Sequence, residues 1–311
     1  MEFIIEENCY NIEVVETITP YLKPFIEHVL TAQNISSLDY FVIADSREES
    51  YAETVNKYAS IVGTDTYITQ DGSYFTAGKS LDGIDENGNL HQAIVIKSAN
   101  WVGAAFEYMD TQGILKEGIL DQMNTPQFMS LSLILHEIGH AIDNEQQYKI
   151  SGTVNTKVLY NLDYEYAEYV KNTALSLWGE YFAESFAYQI IRIIDESADG
   201  KESELEKCIS SYSIGIDRNT LFNRVHRILY FFVIQIAYIH QSSNFSSTFN
   251  YSKYEDDKLL SFYIPFLART EVAIVNLYRN YPNWESYELL NELSDIFMEF
   301  VMFEHQQQKE S

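Results

Sequence analysis

His136-Glu137-Ile138-Gly139-His140 constrains this chain more than any other stretch, because two imidazoles four positions apart serve one chemical purpose only if the segment between them is helical. On a helix they share a face and can bind one metal ion, while Glu137 sits one position round, where a metal-activated water needs a base. The surroundings agree with a helix. Thr125 followed by Pro126 reads as an N-cap and first helical position, and Phe128, Leu131, Ile134, Leu135 and Ile138 form an apolar stripe at helical spacing. Gly139 costs about 1 kcal/mol relative to alanine inside a helix, so a close-packed neighbour is expected there. Asp143 lies on the histidine face and is placed to accept a hydrogen bond from a ligand imidazole.

A catalytic zinc site usually takes three protein ligands, so a second helix must bring a further donor. The segment Trp178-Gly179-Glu180-Tyr181-Phe182-Ala183-Glu184-Ser185-Phe186-Ala187 offers Glu180 and Glu184, four apart, with Ala183 and Ala187 beside them to let two helices approach. Two carboxylates on so apolar a helix are costly to bury unless a cation or hydrogen bonds compensate.

Taken together, HEIGHAID and EYFAESFA resemble the zincin metallopeptidases of the glutamate-ligand type. They are similar both to the ImmA/IrrE-type peptidase domain, whose second helix reads E-x-x-A-N-x-F-A, and to the catalytic domain of anthrax lethal factor and the Pro-Pro endopeptidases, with E-x-F-A-E. The resemblance covers residues 131 to 190, about a fifth of the chain. It implies an α+β fold in which a small mixed sheet lies over the H-E-x-x-H helix. It implies Zn2+ held by His136, His140 and Glu180, with Glu137 as general base and Glu184 as a group behind the ligands. Where lethal-factor-like enzymes place a tyrosine seven positions before the ligand glutamate, this chain has Thr173. The ImmA/IrrE pattern has asparagine at the position of Glu184, and a shorter gap between the helices.

A peptide substrate would lie extended along a sheet edge. His91 to Lys97, after the turn-forming Glu86-Asn87-Gly88-Asn89, reads as a strand upstream of the motif, and Ile94, Val95 and Ile96 are the expected substrate edge. Elsewhere the pattern predicts a strand over Asp39 to Ala44, a helix over Glu48 to Ile61 and a hairpin from Thr66 to Thr76 around Gln70-Asp71-Gly72. Segments 101–122 and 155–172 read as further helices or long loops. Ser197 to Ser203 reads as a linker, dividing a zincin-like domain over 1–200 from a mainly helical region over 201–311. That region carries helical patterns near 203–213, 218–240, 258–280 and 284–305. Its His226 and His240 are each isolated, and an ordinary structural role is expected for both.

A net charge of −26 argues against nucleic acid and anionic membranes as partners, since both select clustered Lys and Arg. The longest apolar run, Ile228 to Ile239, falls short of the roughly twenty residues that span a bilayer. The acidic start lacks the features of a secretion signal, and two cysteines are too few for a disulfide framework, so a cytoplasmic location is expected. The leading expectation is a zinc metalloendopeptidase. The alternative is a zincin-fold regulatory or partner-binding protein that keeps the metal site without general proteolysis; oligomeric state is left open.

Overall fold

The computed structural model describes residues 1–9, 11–64, 78–115, 129–151, 165–195, 218–256, 260–284 and 286–310. The chain is α+β, a small mixed sheet among many helices. It divides into two compact units, Met1–Val154 with Phe186–Asp199, and Asn155–Ser185 with Gly200–Ser311. The division differs from a contiguous split at 200 in placing 155–185 with the C-terminal residues. The expected hairpin at 66–76, the N-cap at Thr125 and the helical pattern at 203–213 lie outside the described residues.

In the first unit, strands β1 (Glu2–Ile5), β2 (Leu38–Ala44), β3 (Gly78–Ile84) and β4 (Leu90–Lys97) form a four-stranded sheet in the order β1-β2-β4-β3. β1, β2 and β4 run parallel, and β3 is antiparallel to β4, with Ser80 opposite Ile94. Helix α1 (Ile12–Gln33) crosses from β1 to β2, and α2 (Glu48–Val62) follows β2. Val15, Ile18, Leu22, Ile26 and Val29 form the buried stripe of α1. Pro20 and Pro24 fall on its exposed side, so the hydrogen bonds they forgo face water.

The sheet is covered on both faces. Val42, Ala44, Ala93 and Val95 pack with Tyr51, Val55, Tyr58 and Val62 of α2, while Phe41, of opposite strand parity, packs against Trp101 of α3 (Ser98–Thr111). Each fully buried valine of this set contributes about 1.5–3 kcal/mol.

The resulting strand order corrects one expectation. Ile94, Val95 and Ile96 are fully buried in a strand paired on both sides, so they form no edge; among the described residues the edge beside β4 is β3. An unbroken apolar run marks a strand covered on both faces, and Ala93-Ile94-Val95-Ile96 is such a run. The hairpin loop is as expected: Gly88 has φ 82, and Asp85 Oδ1 accepts from the N–H groups of Asn87 (2.9 Å) and Asn89 (2.7 Å).

The second unit is helical. It contains most of α5 (Glu165–Ile194), with α6 (Arg218–Ser242), α7 (Leu260–Asn280) and α8 (Asn291–Glu310). Aromatic ring contacts run through it. Trp178 of α5 lies 4.8 Å from Trp284 between ring centroids, and Phe266 of α7 stacks on Phe300 of α8 at 4.6 Å. A buried polar bridge adds direction: Arg224 donates from Nη2 to the Tyr263 hydroxyl at 2.9 Å and pairs with Glu304 at 3.4 Å.

Candidate metal centre

Helix α4 (Met129–Ser151) carries the histidine pair. Its start is held by Glu107, a buried carboxylate of α3, which accepts from the backbone N–H groups of Ser130 (3.1 Å) and Leu131 (2.7 Å). That satisfies donors a helix N-terminus leaves unpaired and sets a negative charge where the helix dipole favours one. The fit is close, since a Cβ on Gly103 of α3 would lie 2.4 Å from the Ser130 hydroxyl. Further along, Glu145 Oε2 accepts from the N–H of Ser37 (3.0 Å) and of Ser36 (2.8 Å), tying α4 to the start of β2. Leu131, Ile134, Leu135 and Ile138 bury the inner face, and Gly139 is buried with them.

With α4 fixed at both ends, His136, Glu137 and His140 are left half-buried. The two imidazole rings stand edge to face, with their Nε2 atoms 3.0 Å apart. Glu137 is held from the sheet side: its Oε2 accepts the backbone N–H of Ser80 at 2.7 Å. Gly78 makes room for this arrangement, because a Cβ there would lie 2.9 Å from Glu137 Cγ and 2.7 Å from Ile96 Cδ1.

Glu180 on α5 completes the set. Ligand atoms of His136, His140 and Glu180 all lie within 4.8 Å of one another, and they form the one such group of three among the described residues. Two neutral imidazole nitrogens and one carboxylate oxygen form a donor set suited to a divalent transition metal. A tetrahedral ion about 2.0–2.1 Å from each nitrogen would hold them about 3.3 Å apart, close to the spacing present. The half-buried His-His-Glu group is therefore able to hold a metal ion.

The remaining expected residues divide. Glu184, buried one turn beyond Glu180, is outside the three-residue group, so the structure distinguishes the two glutamates that the sequence left open. Asp143 is buried on α4, and its Oδ2 accepts from Gln147 Nε2 at 2.5 Å. Thr173 turns its hydroxyl back onto the carbonyl of Tyr169 at 3.0 Å. His226 has a buried Nε2 with no hydrogen-bond partner; burial lowers its pKa, and the charge of Glu180 opposes the shift.

Two features escaped the sequence. The Ser80 N–H behind Glu137 belongs to a strand whose glycines at 78 and 83 weaken the β pattern, although the tight fit at Gly78 is the kind of close approach that a strand glycine marks. His240, isolated in the sequence and expected to have an ordinary structural role, lies in a buried chain of hydrogen bonds whose other end, Tyr181, the residue after Glu180, the sequence did not indicate. No single-residue signal links positions so far apart. Comparison of the chain with protein-family models, with curated proteins and with solved structures found no match.

Proposed function

We propose that this chain is a zinc-dependent peptide hydrolase, with His136, His140 and Glu180 as ligands and Glu137 as the general base. The observation that carries the reading is the convergence of those three donors, together with a carboxylate on the same helix that the sheet holds in place. A bound zinc ion would supply a Lewis acid for the scissile carbonyl and lower the pKa of an attacking water toward 7.

The chain's own residues supply the rest. Glu137 takes the proton of the attacking water and delivers it to the leaving amine, so one carboxylate serves as base and then acid. The Ser80 N–H at 2.7 Å fixes its Oε2, which directs the other oxygen to the proton. β3 is the terminal strand on this side of the described sheet, and an extended peptide would add along its outer edge by main-chain hydrogen bonds. The substrate strand is thus assigned to β3 rather than to Ile94, Val95 and Ile96.

Glu137→Gln tests the reading. It keeps size and shape but removes the basic oxygen, so cleavage of a diverse peptide library should fall by at least 10²-fold while zinc stays bound at wild-type stoichiometry. A wild-type chain that binds zinc yet cleaves none of the library would favour the alternative, a partner-binding protein that retains the metal.

A further inference from the structure

A fully buried tyrosine hydroxyl needs a partner, and Tyr181 has found one that is itself held from behind. Its hydroxyl lies 2.9 Å from His240 Nδ1 on α6, and His240 Nε2 lies 2.9 Å from Glu271 Oε1 on α7. Glu271 also accepts the N–H of Phe249 at 3.0 Å and the hydroxyl of Tyr251 at 2.5 Å. Because Glu271 offers only acceptors, His240 must donate to it from Nε2. In the neutral ring that leaves Nδ1 to accept from the Tyr181 hydroxyl.

The ring of His240 is fixed as well. Phe245 stacks on it with centroids 5.3 Å apart, from a backbone at φ 60, a left-handed conformation that a bulky residue adopts only under constraint. A buried polar chain that ends on a carboxylate rarely stabilises a fold beyond what apolar residues of the same volume would give. Its value lies in the geometry it enforces.

That geometry concerns Glu180. Successive side chains on a helix are about 100° apart, so fixing the direction of Tyr181 fixes the direction in which Glu180 leaves α5. A carboxylate about 6 Å from the helix axis moves about 2 Å when the helix rolls by about 20°, as much as a whole metal–oxygen bond. We infer that Tyr181, His240 and Glu271 form a positioning relay that sets the roll of α5 and so aims Glu180 at the metal. The inference rests on the metal-centre reading and adds to it residues remote from the metal.

The test reads zinc affinity by competition with a chromogenic chelator, and the melting temperatures of the zinc-free and zinc-loaded chains; neither needs a substrate. Tyr181→Phe keeps the ring and should weaken zinc binding about 10- to 100-fold, with a larger loss of melting temperature in the loaded than in the zinc-free chain. His240→Leu should do the same. His240→Gln, which keeps an acceptor for Tyr181 and a donor for Glu271, should recover most of the affinity. Zinc affinity within twofold of wild type in Tyr181→Phe, or equal losses for His240→Leu and His240→Gln, would overturn the relay while leaving the metal centre standing. A wild-type chain that binds no zinc would overturn both.

Discussion

Glu137 is defined by its two neighbours in the sheet as much as by its place between the histidines. Ser80 gives it a hydrogen bond and Gly78 gives it space, so a single methyl group is enough to disturb it. In Gly78→Ala the new Cβ meets Glu137 Cγ and Ile96 Cδ1 inside 3 Å, and the carboxylate must shift. Misplacement by about 1 Å costs on the order of 10²-fold in rate. The expected outcome is a kcat on a cleaved peptide reduced by about that factor, a stability loss of about 1–3 kcal/mol from overpacking, and unchanged zinc affinity. Unchanged kcat would show that Gly78 has no part in holding Glu137, the proposed base. His136, Glu137 and His140 were legible from sequence because their relation is local, fixed by helical periodicity alone. The support from Ser80 was not, since it arises only when a strand some sixty residues earlier is laid over the helix.

At the scale of the element, α4 has carboxylates at both ends, Glu107 from α3 at its start and its own Glu145 near its end. Burial alone would raise the pKa of Glu145, but hydrogen bonds from Ser37, Lys149 and Ser36 outweigh it and bring the group down to about 2. A carboxyl depressed on folding stabilises the native state above its unfolded value near 4.5, and that contribution is lost as pH falls toward 2. Glu145→Gln should therefore cost about 2–3 kcal/mol at pH 7 by urea denaturation. The gap to wild type should begin to close below pH 4.5 and be nearly gone at pH 2; a gap that stays constant over the range would contradict it. Elements with clean periodicity were legible: β2, α2, β4, α4 and the helical patterns near 218–240, 258–280 and 284–305. α1 was not, because Pro20 and Pro24 interrupt the pattern although its buried stripe runs on past them. β3 was hidden by its glycines.

On the scale of the whole molecule, the α+β class was expected from the resemblance over residues 131 to 190, but strand order was not. Nothing in the local residues of β4 distinguishes an edge from a centre except the continuity of its apolar run, which points to the centre. The division into units was likewise hidden, because α5 is one unbroken helix whose residues fall in both. Above all, His136, His140 and Glu180 are proposed to act as one ligand set. Equilibrium dialysis with zinc tests it most directly, comparing wild type with Glu180→Ala and Glu184→Gln. The expected result is one zinc per chain in wild type and Glu184→Gln, and binding weakened at least about 100-fold in Glu180→Ala. Zinc bound to Glu180→Ala with wild-type affinity, or absent from wild type, would contradict it.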